Sequence, residues 1–532
     1  MNRSRHFLCV STPRTPTMNP RYAALFITAL AFAPANAQLS FGGHPIGLTS
    51  SHLPQAPVAV MPAVDADALM AEDAQRLAQG IKGPYRFGFN HATDISTANS
   101  GLWTELANGD RVWRVGIACP SAFSINFEFT DFLVPAGGQV FVYNEMDEVL
   151  GAFTAESNPG NTILGVTQLP GERITIEYQE PLAVRGEGFL RIGQVTHAYR
   201  DLFGATKGLG TSGSCNNNVI CPEGDPWRAQ IRSVAMITVG GSGLCTGQLI
   251  NNCDNDGTPY FLTANHCLGG NNSWVFRFNW NSPTCATTTN GPTNQTVSGS
   301  TLKANNAASD VALLQLNTTP PPSFNVFYTG WDKSGTAPTA STCIHHPDGD
   351  IKKISFDNNA ATQASWGGAA TWRISAWDDG TTEPGSSGSG LWNQDGRLIG
   401  QLYGGTASCS NNINDYFGRF NVSYQYLQTW LGDCGNTLDG FPLNTSVSET
   451  AGADAMTLAP NPTNGLVQIT LPMAMRIGGR ITVFDALGQQ VLARSASADR
   501  LSLDLSGNPA GLYFVEATAV GYHRVERLML GR

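Results

Sequence analysis

The sequence EPGSSGSG at residues 383–390 places serines between glycines. On composition alone, this stretch would be a flexible linker. A serine becomes a nucleophile only when a base, usually histidine, takes its proton and a carboxylate orients that histidine. The other residues of the same region, residues 208–432, therefore decide between a linker and a reactive loop.

Three histidines occur in this region, and one of them follows an apolar run. His266 ends the stretch YFLTANHC, where a predicted strand would deliver it to the end of a sheet, beside Cys267. His345 and His346 stand in the turn-like stretch CIHHPDGD, with no pattern that indicates a partner and too few soft ligands for a metal. His266 is therefore the candidate base.

Asp310 is the candidate carboxylate, because it directly precedes the apolar run VALLQL. A charge at the start of a buried strand needs a partner, and an imidazole would provide one. The other carboxylates of interest lie in polar turns and are expected to be solvated: Asp348, Asp350, Asp378 and Asp379.

Ser387 is the candidate nucleophile, with Ser386 and Ser389 shaping its loop. The glycines at 385 and 388 permit a tight turn in which backbone N–H groups face one pocket and form an oxyanion hole. The order His266, Asp310, Ser387 is that of the chymotrypsin fold and differs from those of subtilisins and α/β-hydrolases. The region has room for two small β-barrels with a cleft between them.

The stretches TANHC, SDVALLQL and EPGSSGSG resemble the catalytic segments of chymotrypsin-like serine endopeptidases. Together with GTSGSCNNNVICPEGD, IHHPDGDIKKIS, GQLYGG and NDYFGR, they resemble the bacterial lysyl endopeptidases. The resemblance implies that Ser387 attacks, that His266 is the general base and then the general acid, and that Asp310 orients it. It also implies that the N–H groups of Gly385 and Ser387 form the oxyanion hole.

Asp415 in INDYFGRF matches the aspartate that binds the substrate lysine in that family. A carboxylate about 4 Å from an ammonium gains about 4 kcal/mol at an effective dielectric near 20. Lysine-specific members carry a histidine in GQLHGG, stacked on a tryptophan that Trp366 matches, whereas this chain has Tyr403. The alternatives are a broader trypsin-like preference for Lys and Arg and, outside enzymes, a surface adhesin or inactive protease homologue.

Eight of the 11 cysteines lie in the 208–432 region, and Cys434 lies just beyond it. An even set in an exported chain indicates disulfides, and the absence of a CxxC pair argues against zinc, so no metal or cofactor is predicted. The resemblance implies the pairs Cys215–Cys409, Cys221–Cys285 and Cys245–Cys267. Elimination then pairs Cys253 with Cys343 and leaves Cys119 and Cys434 without predicted partners.

Export is predicted from the N-terminus, where basic residues, the apolar run AALFITALAFA and Ala35-Asn36-Ala37 indicate a signal peptide cut after Ala37. Residues 38–207 are predicted to be a propeptide, mobile and Pro/Ala-rich to residue 80 and β-rich from about residue 81. Lys207 stands just before the start of the family's mature enzyme, so cleavage after it would be self-maturation. The other lysines are Lys82, Lys303, Lys333, Lys352 and Lys353.

The C-terminal part divides into a predicted linker, residues 433–456, and a last domain, residues 457–532. The stretches APNPTNG, ITVFDALGQQV and AGLYFVEA resemble the sorting domain of type IX secretion, with an accessory binding sandwich as the alternative. The resemblance implies secretion, through the periplasm, to the surface or surroundings of a Gram-negative bacterium.

The fold prediction is all-β: a chymotrypsin-like double barrel at 208–432, preceded by a β-rich propeptide domain and followed by a small Ig-like β-sandwich. Charged residues make up 14% of the chain and the net charge is -10, with no basic stripe, so nucleic-acid binding is not indicated. A monomer is expected, with protein or peptide substrates, its own propeptide and the type IX secretion machinery as partners.

Overall fold

The computed structural model describes residues 43–50, 52–81, 83–204, 212–270, 273–285, 290–442, 456–471, 479–485, 490–496, 500–519 and 522–531. Ala37, Lys82, Lys207 and the predicted signal peptide lie outside the described residues. Over these ranges the expected all-β fold is confirmed. No helix within them is long and apolar enough to cross a bilayer.

The N-terminal region, up to residue 204, is built mostly from strands. Its elements are α1 (Ile46–Thr49), β1 (Val58–Val60), α2 (Ala66–Ala78), β2 (Tyr85–Arg86), β3 (Gly88–Ser96), β4 (Leu102–Glu105), β5 (Arg111–Ala118), β6 (Ser124–Leu133), β7 (Gln139–Asn144), β8 (Val149–Phe153), β9 (Leu164–Pro170), β10 (Arg173–Glu180), a 3₁₀ turn (Leu182–Val184) and β11 (Phe189–Ala198). One sheet has the order β1-β5-β10-β7-β8, with β4 on β5, and the second has the order β3-β11-β6-β9.

The segment before residue 80, predicted to be mobile, contains a helix. Asp65 caps α2, accepting a hydrogen bond at 3.0 Å from the N–H of Ala68, and so starts the helix within a Pro/Ala-rich stretch. Asp73 on α2 then accepts hydrogen bonds from Arg86 at 2.7 Å and from Arg200 at 2.8 Å. These bonds tie α2 to the beginning and the end of the chain that forms the two N-terminal sheets, which we call the N-terminal sandwich.

The next region, residues 212–442, carries two further sheets. Its elements are β12 (Asn217–Asn218), a 3₁₀ turn (Pro222–Trp227), α3 (Arg228–Ile231), β13 (Val234–Val239), β14 (Gly243–Leu249), β15 (Tyr260–Ala264), a 3₁₀ turn (Asn265–Cys267), β16 (Val275–Phe278), β17 (Thr296–Ser298), β18 (Ser300–Asn306), β19 (Val311–Leu316), a 3₁₀ turn (Pro322–Phe324), β20 (Phe327–Tyr328), β21 (Trp331–Asp332), β22 (Ser341–His345), a 3₁₀ turn (Pro347–Gly349), β23 (Lys353–Asp357), β24 (Thr362–Trp366), β25 (Ala369–Ala376), β26 (Gly390–Asn393), β27 (Leu398–Gly405), β28 (Ile413–Arg419), α4 (Phe420–Leu431), β29 (Thr437–Leu438) and β30 (Phe441–Pro442).

These strands form one sheet for each predicted barrel. The first has the order β17-β16-β13-β14-β15-β19-β18, with β2 of the N-terminal region added to β14. The second has the order β12-β23-β22-β26-β27-β28-β25-β24, with β21 paired to β27. Strands β13, β14 and β15 are buried along their whole length, as expected of short apolar runs bounded by turns.

The N-terminal sandwich and the first barrel share one apolar core. A single buried cluster contains Phe127 and Val166 from the sandwich together with Phe276 and Phe278 from the barrel. The buried apolar surface therefore continues from one region into the other, as in a single domain.

The C-terminal region forms two sheets around its own core. Its strands are β31 (Thr457–Ala459), β32 (Leu466–Thr470), β33 (Gly479–Asp485), β34 (Gln490–Ala496), β35 (Arg500–Asp504), β36 (Gly511–Ala519) and β37 (Tyr522–Leu530). The orders are β31-β32-β35 and β34-β33-β36-β37, around buried residues that include Val467, Ile481 and Val515. This agrees with the predicted small β-sandwich.

Four disulfides cross-link the 212–442 region, and one differs from expectation. The structure contains Cys215–Cys409, Cys221–Cys285 and Cys245–Cys267. The fourth is Cys253–Cys434, so the expected Cys253–Cys343 pair is not formed.

The position of each cysteine explains this difference. Cys343 lies on β22 inside the second barrel and is fully buried as a free thiol, whereas Cys253 lies in the partly exposed turn after β14. The N–H of Cys253 donates to the carbonyl of Leu431 at the end of α4, and the chain then turns to Cys434. Cys119, the other free cysteine among the described residues, is buried in the N-terminal core.

Part of the predicted linker is attached to the barrels. Besides the bond at Cys434, β29 pairs with β21 and β30 pairs with β20. Residues 434–442 are therefore a structural part of the 212–442 region, and residues 443–455 lie outside the described residues.

The four described lysines all lie in the 212–442 region, and each ammonium is engaged. Lys352 is fully buried and donates to the carbonyl of Ile231 at 2.8 Å, and Lys353 is nearly so and donates to Asn218 at 2.8 Å. Lys333 donates to Asp433 at 2.8 Å, and Lys303 lies 5.0 Å from the ring centroid of Trp430.

Candidate active site

His266 and Asp310 meet because their strands pair. Strands β15 and β19 are antiparallel, with Ala264 opposite Val311, so the residues just beyond them come together. One carboxylate oxygen of Asp310 accepts a hydrogen bond from Nδ1 of His266 at 2.7 Å, and the other accepts one from its backbone N–H at 2.9 Å. The carboxylate thus fixes the ring orientation and leaves Nε2 available as a base.

The Cys245–Cys267 disulfide fixes the turn that carries this histidine. Cys267 ends the 3₁₀ turn Asn265–Cys267, and Cys245 lies on β14. The next residue of β14, Thr246, donates its N–H to the carbonyl of Ser387 at 2.8 Å. One strand therefore supports both the histidine turn and the serine loop.

The serine loop joins β25 to β26, and two of its positions require glycine. Gly385 has a φ of +94°, and a Cβ there would lie 2.8 Å from the carbonyl oxygen of His346. Gly388 has a φ of +83°, and a Cβ there would lie 2.1 Å from Oγ1 of Thr263. The loop is therefore a tight turn packed against the first barrel.

His345 holds the residue before the candidate nucleophile. Its Nδ1 lies 2.8 Å from Oγ of Ser386 and its Nε2 lies 3.1 Å from Oγ of Ser355. Because Ser355 donates to the carbonyl of Thr381, Nε2–H of His345 donates to Ser355 and Nδ1 accepts from Ser386. Burial lowers the pKa of His345 to about 3, so the ring is neutral, as this arrangement requires.

A cleft of about 540 Å³ lies between the two barrels. Six of the predicted site residues line it: His266, Trp366, Gly385, Ser387, Tyr403 and Asp415. Residues of the N-terminal region line the same cleft, among them Leu77, Ile81, Gly83 and Tyr85. The two barrels and the N-terminal region thus share one cavity.

Asp415 lies on β28 and is 1% exposed. Its Oδ2 accepts hydrogen bonds from Nε1 of Trp377 and from Oγ1 of Thr382, both at 2.7 Å. Such neutral donors stabilise a carboxylate without neutralising its charge. The carboxylate of Asp415 lines the cleft and can attract a cationic group there.

The aromatic residues of the cleft are arranged differently from the expected stack. Tyr403 meets Trp366 edge-on, with ring centroids 5.0 Å apart at 80°, and lies 5.7 Å from the His266 ring. The residue that stacks on Trp366 is Tyr416, at 5.1 Å and 3°. Burial and the charge of Asp310 both raise the pKa of Tyr403, which therefore faces His266 as a neutral phenol.

Two carboxylates predicted to be solvated are largely buried. Asp350 is 1% exposed, accepts a hydrogen bond from Oγ of Ser212 at 2.6 Å and lies 3.4 Å from the ammonium of Lys353. Burial and the nearby charge of Glu383 raise the pKa of Asp348 to about 7. The turn after β22 is covered by neighbouring segments, which its polar sequence did not indicate.

Sequence reasoning missed the supporting residues of the site. Trp377 and Thr382 hold Asp415, and His345 holds Ser386, but each contact joins segments far apart in the sequence. The sequence shows the His345-His346 pair as a motif but does not indicate its hydrogen-bond partners. Within the described ranges, no group of three or more His, Cys, Asp or Glu side chains could hold a metal ion.

Two parts of the chain are similar to known protein families. Residues 209–418 match the model for the lysyl endopeptidase C-terminal domain, and residues 457–530 match the secretion system C-terminal sorting domain. A lysyl endopeptidase of Pseudomonas aeruginosa is 31% identical over 292 residues. The matched stretch covers 49% of this chain and 62% of that protein, so the chain spans less than two thirds of the relative's length.

Solved protease structures also resemble part of the chain. The active form of the Rv3671c protease of M. tuberculosis is 16% identical, with a TM-score of 0.28, over 40% of this chain and 86% of that one. A Glu endopeptidase in complex with MPD is 17% identical, with a TM-score of 0.28, over 42% and 97%. Because these TM-scores are low, the fold is assigned from the sheets described above and not from these structures.

Proposed function

We propose that this protein is a secreted serine endopeptidase that cleaves on the C-terminal side of lysine, because residues 209–418 match the model for the lysyl endopeptidase C-terminal domain. The observation that carries the proposal is the shared cleft of Ser387, His266 and Asp415. It combines a serine, a base held by a carboxylate and a buried anionic residue.

The mechanism follows from the hydrogen bonds of His266. Its Nδ1–H is bound by Asp310, so Nε2 takes the proton of Ser387 as Oγ attacks the substrate carbonyl. The N–H groups of Gly385 and Ser387 stabilise the oxyanion, and His266 then protonates the leaving amine. Water, activated by the same histidine, hydrolyses the acyl-enzyme.

Specificity for lysine rests on Asp415. A substrate ammonium at about 4 Å gains about 4 kcal/mol at an effective dielectric near 20, before desolvation. The neutral Tyr403 in place of the family's histidine leaves a trypsin-like preference for both Lys and Arg as the second candidate. The cleft of about 540 Å³ has room for either side chain.

The flanking regions complete the proposal. The N-terminal region is a propeptide, and cleavage after Lys207, which lies outside the described residues, matures the zymogen. The match of residues 457–530 to the sorting domain supports export through type IX secretion. Residues 435–532 contain no lysine, so another protease removes the tail.

A digest of a defined protein by the purified chain, with Ser387→Ala as control, tests the proposal. Products should end in lysine, and the variant should give none. The proposal would be contradicted if Lys–X bonds stayed intact and a serine-protease inhibitor failed to label Ser387. The surface adhesin or inactive homologue would then be the better interpretation. Equal cleavage after Lys and Arg would establish the broader specificity, and Tyr403→His should then restore preference for lysine.

A further inference from the structure

The serine loop is anchored through the backbone carbonyls next to its two predicted oxyanion donors, Gly385 and Ser387. The carbonyl of Pro384 accepts a hydrogen bond from the N–H of Asp348 at 2.6 Å. The carbonyl of Ser386 accepts one at 3.0 Å from the N–H three residues later in the loop. Because a trans peptide unit points its C=O and its N–H in opposite directions, these two bonds turn the N–H groups of Gly385 and Ser387 away from the anchored side.

The same two N–H groups are the loop donors that the protein does not use. Within the described residues, the N–H groups of Gly385 and Ser387 donate to no other group, whereas those of Ser386, Gly388 and Ser389 each donate to a backbone carbonyl. Gly385 and Ser387 both line the cleft. Their N–H groups are therefore positioned to donate to the carbonyl oxygen of a bound peptide.

Thr246 holds the middle of the loop with two hydrogen bonds. Its hydroxyl donates to the carbonyl of Gly385 at 2.9 Å, and its backbone N–H donates to the carbonyl of Ser387 at 2.8 Å. The hydroxyl oxygen also accepts from the N–H of His346 at 3.2 Å. This fully buried residue thus joins the first barrel, the serine loop and the turn after β22.

The strand that carries Thr246 is itself held on both sides. All of β14 is buried, Cys245 is joined to Cys267 by a disulfide, and the hydroxyl of Thr263 donates to the carbonyl of Thr246 at 2.8 Å. The loop differs, because glycine gives its backbone little conformational preference of its own, and Gly385 has a φ of +94°. The orientation of the Gly385–Ser386 peptide therefore depends on the groups that bind its carbonyl.

We propose that Thr246 is a positioning residue for the oxyanion hole: its hydroxyl fixes the Gly385–Ser386 peptide and thereby the directions of the two N–H donors. This inference rests on the proposed function, since it assumes that Ser387 attacks a carbonyl group. Donors stabilise an oxyanion best when they are oriented before the reaction. Loss of the hydroxyl should therefore weaken binding of the transition state and leave binding of the substrate side chain at Asp415 unchanged.

The experiment compares Thr246→Val, which removes the hydroxyl, with Thr246→Ser, which keeps it. Thr371→Val is the matched control, because Thr371 is a fully buried threonine of β25 whose hydroxyl has no hydrogen-bond partner in the described part of the chain. Each protein is expressed as the full chain. The end point of labelling by a fluorophosphonate counts the reactive serines in each preparation, so that kcat refers to active enzyme only.

Three quantities are measured for each protein. The first is the pair kcat and KM for a lysyl peptide. The second is the affinity for a peptide aldehyde that ends in lysine, whose carbonyl carbon bonds Oγ of Ser387 and whose oxygen then faces the two N–H groups. The third is the affinity for a simple alkylamine, which carries an ammonium for Asp415 and has no carbonyl group.

Thr246→Val should lower kcat by about 10- to 100-fold at an unchanged KM, less than the loss of a whole oxyanion donor, and should weaken aldehyde binding by a similar factor. Its affinity for the alkylamine should equal that of the parent. Thr246→Ser and Thr371→Val should match the parent in all three measurements.

An unchanged kcat in Thr246→Val would overturn the inference. Equal weakening of the aldehyde and the alkylamine would also overturn it, because a general structural role of Thr246 would have that effect. Both results leave the proposed function standing. A parent chain that neither cleaves the lysyl peptide nor binds the aldehyde would instead overturn the proposed function, and the inference with it.

Discussion

The carboxylate of Asp415 is buried and accepts hydrogen bonds at Oδ2 from two neutral donors, Trp377 and Thr382. Under the proposed function, this carboxylate attracts the ammonium of the substrate lysine. Asp415→Asn should lower kcat/KM for lysyl substrates by roughly 100- to 1,000-fold, because about 3 to 4 kcal/mol of electrostatic attraction is lost.

The control for this change is Asp378→Asn, which alters an exposed aspartate next to Trp377. The Asp378→Asn variant should leave kcat/KM unchanged. A peptide with a neutral residue before the cleaved bond should be hydrolysed no more slowly by Asp415→Asn than by the parent enzyme. An unchanged preference for basic residues in Asp415→Asn would rule out the assigned pocket. The measurement is steady-state hydrolysis of matched lysyl and neutral peptides.

His345 makes stability depend on pH. Burial lowers its pKa to about 3 in the folded state, below the ordinary value of 6.5. Between these pH values the unfolded chain binds a proton that the folded chain does not. The contribution of neutral His345 to the free energy of unfolding is therefore fully present above pH 6.5 and is lost as the pH falls toward 3. Acid should therefore destabilise the second barrel.

His345→Gln, made in a Ser387→Ala background to prevent self-digestion, should flatten this dependence. The urea midpoint of the variant should fall less between pH 7 and pH 4 than that of the parent. His346 also has a strongly lowered pKa, caused first by burial, so part of the dependence should remain. The exposed His52→Gln is the control, and equal pH profiles for all three chains would exclude this role of His345.

At the scale of elements, the Cys253–Cys434 disulfide joins the turn after β14 to the segment that follows α4. It closes a stretch with a sequence separation of 181 residues. In the loop-entropy model such a cross-link stabilises by several kcal/mol, with a typical measured range of about 2 to 5 kcal/mol.

Cys253→Ser with Cys434→Ser should therefore lower the stability of the barrels by about 2 to 5 kcal/mol. Release of β29 and β30 should accompany this loss and appear as faster amide exchange in residues 434–442. Cys343→Ser removes a thiol outside any disulfide and serves as a comparison. Unchanged exchange in residues 434–442 would show that strand pairing alone holds this segment.

The proximity of His266, Asp310 and Ser387 could be predicted because each follows or precedes a short apolar strand and the chain order fits one fold. The partner of Cys253 could not, because Cys434 lies in a stretch with the composition of a linker. Helix α2 was missed for a similar reason. Its position is fixed by the hydrogen bonds of Asp73 with Arg86 and with the distant Arg200, which local composition does not indicate.

For the whole molecule, the position of the lysines has a consequence for the lifetime of the enzyme. Under the proposed specificity for lysine, each copy of the enzyme is a potential substrate for the others. Lys352 and Lys353 are buried, Lys333 pairs with Asp433 and Lys303 lies over the ring of Trp430, so we expect cleavage at each of them to require local opening of the structure.

Loss of activity in storage should therefore follow the rate of unfolding and not the rate of collision between enzyme molecules. The half-life of the active enzyme should be independent of its concentration, and decay should be first order. Residual activity followed over a wide range of enzyme concentrations measures this, and a half-life that shortens as concentration rises would contradict it. The enzyme would then be protected from itself by the same packing that holds its barrels together.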